Sequence, residues 1–557
     1  MFGRQAIIEI FKREGVEYIF GNPGTTEMPL IVALEDHPQI KYILSLHEGA
    51  ALGMAHMYAN ASGKTGVVNL HVAPGLGNAL GALYNAMVGK MPLLVTAGQQ
   101  DSRMLIREPL LSHDLVAMAR PLTKWSVQIQ HIEEIPVIIP RAFKVTQDPP
   151  RGPVFVALPS DILDDEADLD LPSPSSFYRR TPPDPQGITA AAEILIGAKN
   201  PVIICGDGVA ASKAQAELVQ VAERLGAPVW NTMMMGSLNF PTSHPHFTGV
   251  LPVEFAVIRS LLGEADTVLA VGANLFEEVF YSEGSPLPEG CSLIHMDDST
   301  REIGKNLPVA VGLPADLKVA LQKLLESLVS KMTDTYHQEA RKRCAAIAEQ
   351  KKQNQDRQEK RIREKWDNQP ISPARLMADL RDCLPPDAVI YNEAITASID
   401  LFGMVPFDQP GSLFGNHGGG IGQGLPGALG VKLAKPDQTV IAVVGDGSAM
   451  YTIQSFYTAA YHNIPVIYII ISNQSYRILK YNMNRYLLMQ RITKERPYPF
   501  MNLNEPALDF ISLARGMGMS GKCITRPDDI QPAIKEALSL GEPYVLEIRT
   551  EGKGPGE

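Results

Sequence analysis

Two apolar runs near the C-terminus, residues 440–444 (VIAVV) and 465–471 (PVIYIII), constrain this chain more than any other feature. Each is short and continuous, and a helix-length stretch separates them. That combination predicts two buried parallel strands joined by a crossover helix, because strands covered on both faces are apolar at nearly every position. The first run ends in Gly445-Asp446-Gly447 and the second in Ser472-Asn473-Gln474-Ser475. Asp446 and Asn473 are therefore expected at the carboxyl ends of neighbouring strands, where open α/β sheets bind ligands. An Asp carboxylate, an Asn carbonyl and a backbone carbonyl are hard oxygen donors that suit Mg²⁺, which keeps phosphate oxygens and water in the rest of its octahedron. A second Gly-Asp-Gly, at 206–208, also follows an apolar run, PVIIC. No comparable strand and amide close it at the same distance, so it reads as a strand-to-helix turn.

The same strand–helix cadence runs through the chain. YIFG, YILSL, TGVVNLHV, PLLVTAG and GPVFVALP are the strand candidates of residues 1–170. PVIICG, PVWNT, TVLAVGA and SLIHMD play that role in 188–328, and AVIYNE, TVIAVVG, PVIYIII and YVLEIRT in 371–552. At 557 residues the chain is too long for one core. The predicted fold class is α/β, with three doubly wound parallel-sheet domains. Residues 164–187, rich in Asp, Ser and Pro, read as a linker. Residues 331–368 mix bases with acids and read as a solvated connecting helix. The N-terminus reads as an amphipathic helix with Ile7, Ile8, Phe11 and Val16 on one face, without the apolar core of a signal peptide.

A net charge of −11 carries no electrostatic footprint for nucleic acid or an anionic membrane. Five scattered cysteines without a CxxC pair predict a reducing, cytoplasmic setting and neither a zinc site nor a disulfide framework. The longest apolar run is too short to span a bilayer.

Other chemistry-bearing residues sit at element boundaries. Glu48, in YILSLHEGAALGMAHMYA, follows a strand and opens a Gly/Ala-rich helix, whose dipole favours an acid in its first turn. Residues 416–430, NHGGGIGQGLPGALG, are glycine-dense and then helical, and glycines let backbone approach a ligand closely. His71 follows a strand in NLH, and Asn392-Glu393-Ala394-Ile395-Thr396 ends another.

The 445–475 segment resembles the motif of thiamine diphosphate (ThDP) enzymes, with Ser472-Asn473 where that family usually writes Asn-Asn. The resemblance implies that Asp446, Asn473 and the carbonyl of Ser475 ligate Mg²⁺. Gly445, Gly447 and Ser448 would line the diphosphate, with Ile395 and Thr396 bringing backbone or hydroxyl donors. Glu48 would hydrogen-bond N1′ of the aminopyrimidine from an apolar slot that raises a carboxylate pKa. The carbonyl of Gly419 would accept from the 4′-amino group, and Ile421 would be the apolar wedge that bends the cofactor. The implied domains are pyrimidine-binding, middle and diphosphate-binding.

At the next level GNPGTTE (21–27), NLHVAPGLGNALGALYNA (69–86), PLLVTAGQQ (92–100) and RPLTKWS (120–126) resemble benzoylformate decarboxylase and its relatives over nearly the whole chain. This resemblance places Thr25 near the substrate carboxylate and makes His71 a proton-transfer residue. The family's second active-site histidine has no counterpart in ANLFEEVFYSEG (273–284), where Val279 takes its place. An aromatic of the decarboxylase's aryl pocket falls near Asn482, and residues 476–506 differ strongly enough to form a longer substrate-facing lid. IHMDDSTREIGKN (294–306) instead resembles the acetohydroxyacid synthase branch, some members of which hold FAD in the middle domain; the sequence leaves FAD open here.

The implied activity is ThDP- and Mg²⁺-dependent decarboxylation of a 2-oxo acid through a C2 ylide and an enamine, with carboligation as a second fate. The alternatives are an acetohydroxyacid synthase-type carboligase or lyase that joins the enamine to a second carbonyl, and a catalytically silent regulatory subunit. The implied partners are a small 2-oxo acid or aldehyde and further copies of the chain, as a homodimer or homotetramer.

Overall fold

The apolar runs are strands, and they assemble into three sheets. The structure, a computed structural model, describes residues 1–492 and 498–552, apart from the side chain of Arg361. The first sheet comprises β1 (Tyr18–Gly21), β2 (Lys41–Leu44), β3 (Gly66–Leu70), β4 (Leu93–Gln99), β5 (Trp125–Gln128) and β6 (Val154–Pro159). The second comprises β7 (Pro201–Cys205), β8 (Val229–Asn231), β9 (Phe247–Val250), β10 (Thr267–Val271), β11 (Ser292–Asp297) and β12 (Val311–Pro314). The third comprises β13 (Val389–Glu393), β14 (Leu413–Gly415), β15 (Val440–Gly445), β16 (Val466–Ser472), β17 (Ser520–Ile524) and β18 (Tyr544–Arg549). Parallel pairing runs through all three. β3, β4, β6, β7, β10 and β16 are buried at every residue, as strands with helices on both faces must be.

The first sheet has the order β2-β1-β3-β4-β6-β5, and the third repeats it as β14-β13-β15-β16-β18-β17. The second, β12-β11-β10-β7-β8-β9, has the order 3-2-1-4-5-6 of dinucleotide-binding folds when read from its other edge. Every central strand is one that the apolar pattern predicts. The strands that the pattern does not reveal, β5, β9, β12, β14 and β17, all lie at sheet edges. An edge strand is covered less: β5 is partly exposed throughout and β17 mostly exposed, so neither carries an apolar run.

By packing, the chain divides into two compact units: Met1–Phe177 with Lys365–Leu401 and Asn416–Glu557, and Tyr178–Glu364 with Phe402–Gly415. The N-terminal helix Gly3–Arg13 buries Ile7, Ile8 and Phe11, while Val16 lies beyond its end and joins the same core. Residues 167–184 form no regular element, and Asp334–Glu364 is one long, mostly exposed helix, as the linker and charge patterns predict. Among the described residues no helix is long and apolar enough to cross a membrane.

One expected element is broken. The predicted crossover helix between β15 and β16 is two short helices, Asp446–Tyr451 and Ser455–Tyr461. Thr452 leaves helical geometry at the break (φ −138°, ψ 36°), and its hydroxyl donates to the Gly422 carbonyl at 2.6 Å. A threonine side chain that bonds backbone elsewhere offers the chain an alternative to continuing the helix.

Candidate active site

Glu48 opens the helix Glu48–Ser62 at the carboxyl end of β2. His47 is its N-cap: Nδ1 of that ring accepts from the Gly49 N–H at 3.0 Å. The Glu48 carboxylate is buried and accepts from Asn78 Nδ2 at 2.9 Å. A Cβ at Gly75 would lie 3.2 Å from Glu48 Oε1 and 3.5 Å from the His71 Cβ. Both predicted residues therefore border one glycine in the first turn of the helix Val72–Val88, which His71 precedes as N-cap.

His71 is held by a group that the sequence pattern does not single out. Glu27, fully buried, accepts from His71 Nδ1 at 2.7 Å. Glu27 also accepts from the N–H groups of Gly24 and Gly98, both at 3.0 Å, and from the Thr26 hydroxyl at 2.8 Å. With Nδ1–H directed at a carboxylate, the neutral ring keeps its lone pair on Nε2, so that atom is the one able to exchange protons with a ligand. Thr25 is exposed at the head of this turn; its neighbour Thr26 is buried, 3.3 Å from His71 Nδ1.

The second cluster lies at the carboxyl ends of β15 and β16. These strands pair in register as Gly445↔Ile471, which brings Asp446 and Asn473 to adjacent strand ends as predicted. Asp446 accepts from the Gly447 N–H at 2.7 Å and the Gln474 N–H at 2.6 Å, and Asn473 Oδ1 accepts from the Ser475 N–H at 2.9 Å. Burial pushes the Asp446 carboxyl up to about 6 despite these N–H donors. A desolvated acid beside an Asn side-chain carbonyl and the Ser475 backbone carbonyl is a donor set that a divalent cation would stabilise, so these residues fit a metal. Ser448 is buried beside Asp446, and Tyr476 covers Gly447, where a Cβ would meet its ring at 2.5 Å. Ile395 takes a left-handed conformation (φ 52°) after β13, strained for a β-branched residue, and Thr396 follows it in the turn Ile395–Ala397.

The glycine loop is held from beneath. Glu393, fully buried at the end of β13, accepts from the N–H groups of Gly422, Gln423 and Gly424 and from Asn416 Nδ2. Burial pushes this carboxyl up to about 7. Gly419 (φ 80°) has no atom within 4 Å of where a Cβ would stand, so its face is open, and Ile421 beside it is partly exposed.

Among the described residues Glu48 and His71 make no direct hydrogen bond to the other two clusters. The helix Gly424–Ala434 packs on Glu48–Ser62 with Gly427 against Met57, Gly430 against Met54 and Tyr58, and Gly53 against Pro426, so the two cross through their middles. Close to this crossing, His56 Nε2 lies 3.1 Å from His417 Nδ1. Glu48 is eight residues, about 12 Å of helix, away from His56. Asn482 lies on the helix Arg477–Met489; of the lid segment 476–506, residues 493–497 lie outside the described residues. Val279 is exposed in the middle unit.

Comparison with known proteins identifies the frame. Three family models match in chain order: the N-terminal TPP binding domain of thiamine pyrophosphate enzymes over residues 1–118, their central domain over 188–324 and their C-terminal TPP binding domain over 397–548. A benzoylformate decarboxylase of Pseudomonas aeruginosa is 33% identical, across 98% of each chain. The chain belongs to the thiamine pyrophosphate enzyme family. Another family member similar to it is a probable acetolactate synthase large subunit of Methanocaldococcus jannaschii, 31% identical over 98% of this chain and 92% of the relative. Among solved structures of the family, a thiamine diphosphate-dependent 4-hydroxybenzoylformate decarboxylase of Rhodococcus jostii RHA1 superposes with a TM-score of 0.86, at 32% identity, over 99% of this chain and 100% of that one.

FAD, which the family resemblance leaves open, does not fit the residues of the middle unit. At the switch point between β7 and β10, a Cβ at Gly206 or Gly208 would come within 2.6 Å of Gly272, so backbone packs on backbone there. Asp207 places its own carboxylate in this turn, accepting from the N–H groups of Gly236 and Ser237 and from Asn239. Leu275 and Phe276 line both of two small cavities in this unit.

Proposed function

We propose that this protein is a ThDP- and Mg²⁺-dependent lyase that decarboxylates a 2-oxo acid. The observation that carries the reading is the Glu48–Asn78 pair beside the Glu27–His71 pair: a buried acid and an oriented imidazole at the N-termini of adjacent helices. Asp446, Asn473 and the Ser475 carbonyl would hold Mg²⁺ against the diphosphate, with Gly445, Gly447, Ser448, Ile395 and Thr396 offering backbone or hydroxyl groups. The Gly419 carbonyl would accept from the aminopyrimidine amine on the open face of its loop, and Ile421 would supply the apolar contact. When bound, thiamine diphosphate supplies the electron sink that lets the bond between a carbonyl carbon and its carboxylate break. Glu48 would hold a proton at the aminopyrimidine ring, with Asn78 fixing its carboxylate. His71 would move protons at Nε2 while Glu27 holds Nδ1, and the Thr25 hydroxyl would hold the substrate carboxylate.

A second copy of the chain belongs to this reading. Glu48 is held by Asn78 and Gly420, next to Gly419, by Asn85, two turns further along the same helix, so a cofactor touching both would take them from different subunits. The five free cysteines accord with a cytoplasmic setting. A second fate, joining the product to another carbonyl, is favoured by the similarity to an acetolactate synthase. Incubation with ThDP, Mg²⁺ and a panel of pyruvate, branched and aryl 2-oxo acids separates the two: free aldehyde supports decarboxylation, and a hydroxyketone supports carboligation. Glu48→Gln should retain ThDP binding and lose turnover; unchanged turnover would overturn the assignment.

A further inference from the structure

The glycine loop 416–422 has every reason to be soft. Gly418, Gly419 and Gly422 all take left-handed conformations (φ 75°, 80° and 98°), and glycine is the residue with the widest choice of alternatives. Glu393 fixes the far side of this loop through Gly422, Gln423 and Gly424. The centre is fixed by a different residue. Asn85, on the helix Val72–Val88 and 4% exposed, donates from Nδ2 to the Gly420 carbonyl at 2.8 Å and accepts at Oδ1 from the Gly420 N–H at 3.1 Å. One side chain thus pairs with both polar groups of one residue's backbone, as a neighbouring strand would.

The contact is close as well as polar. A Cβ at Gly418 would lie 2.9 Å from Asn85 Oδ1, and one at Gly420 would lie 2.8 Å from it, whereas Gly419 between them faces open space. The loop lies flat on Asn85 through its two outer glycines and turns the middle one outward. Asn416 Nδ2 also donates to the Gly420 carbonyl, so that carbonyl is committed inward while the one at Gly419 is not held by these groups. Seven residues before Asn85, two turns along one helix face, Asn78 donates to Glu48.

We propose that Asn85 is a positioning residue: its amide sets the shape in which the loop presents Gly419 to the cofactor. The proposal rests on the ThDP reading above. An amide is required because the site needs one donor and one acceptor; aspartate would turn an anion toward the Gly420 carbonyl, and leucine fills the volume with neither group.

Three measurements on the full chain test this. In Asn85→Leu, affinity for ThDP with Mg²⁺ should stay within about threefold of wild type by calorimetry, because Asp446 and Asn473 are untouched. The exchange rate of the C2 proton of bound ThDP, read by quenched NMR, should fall at least about tenfold, and amide hydrogen exchange in the 416–424 peptide should rise by a similar factor. Gly420→Ala should also slow C2 exchange, because its methyl group meets Asn85. In the Asn85→Ala/Gly420→Ala double variant that added loss should vanish, leaving a rate no lower than that of Asn85→Ala alone. C2 and amide exchange at wild-type rates in Asn85→Leu, or simple additivity in the double variant, would overturn the proposal. Absence of ThDP binding or C2 exchange in the wild-type protein would overturn the cofactor reading itself, and the proposal with it.

Discussion

Replacing Glu27 by Gln tests how the proposed proton carrier is oriented. The buried carboxylate serves four donors: the N–H groups of Gly24 and Gly98, the Thr26 hydroxyl and His71 Nδ1. A glutamine keeps one acceptor oxygen. If that oxygen stays with Gly98 and Thr26, the new amide faces the Gly24 N–H and the His71 ring. The ring must then accept at Nδ1 and carry its proton on Nε2, the tautomer unable to take up a proton at the outward atom. A hydrogen bond to a charged group contributes about 1.5–3 kcal/mol, and at about 1.4 kcal/mol per tenfold its loss predicts a fall of about 10- to 150-fold in kcat/KM. Leaving the Gly24 N–H facing another donor costs about 1–3 kcal/mol of stability, so the kinetics should be run well below the lowered unfolding midpoint with ThDP occupancy checked. The assay is kcat/KM across pH, paired with ¹⁵N NMR of labelled histidine, which reads the tautomer directly. Glu27→Asp, which keeps the charge, should lose less. A Gln variant within threefold of wild type, with unchanged His71 nitrogen shifts, would refute the argument.

Other perturbations follow from the same geometry. Burial raises the Glu393 carboxyl from 4.5 to about 7, so the folded chain holds a proton that the unfolded chain releases across that window. Its contribution to stability is fully present below pH 4.5 and falls by roughly 3 kcal/mol as pH rises through about 7. Urea unfolding of wild type and Glu393→Gln at several pH values should show this slope in the wild type and not in the variant; parallel slopes would contradict it. A Cβ at Gly430 would lie 2.1 Å from the Met54 carbonyl oxygen. Gly430→Ala must therefore push the two helix backbones away from each other, at a cost of about 1–3 kcal/mol or more in thermal or urea unfolding. Gly77→Ala, with nothing within 4 Å, is the neutral control. Asp446→Asn removes the charge that a divalent cation would meet; calorimetry should show ThDP affinity reduced at least about tenfold and no longer sensitive to EDTA.

The elements legible in the sequence were those whose burial is one-dimensional. β3, β4, β15 and β16 are covered on both faces and announce themselves as apolar runs. Asp446 and Asn473 were legible for the same reason: each directly follows such a strand, so the strand pairing alone brings them together. Edge strands, half in water, left no such trace. Nor did Thr452, whose bond to Gly422, thirty residues earlier in the chain, breaks a helix that local pattern predicts to be continuous.

By itself, then, the sequence determined the three α/β layers, the strand ends at which polar groups gather, and the family to which those groups point, because alternation of strand and helix and the residues that end them are local properties. Tertiary structure alone decided which polar groups hold which. Glu27 reaches Gly98 across 71 positions, and Asn85 reaches Gly420 across 335. Neither pair has a periodicity or a motif, since a buried donor needs only an acceptor in space, whatever its place in the chain. The packing of Glu48–Ser62 on Gly424–Ala434 decided one thing more, which turns of the two helices meet. It does so because the glycine at 430 lets the two backbones touch at Met54 and Tyr58, a close approach that fixes the point of contact in a way no single helix can.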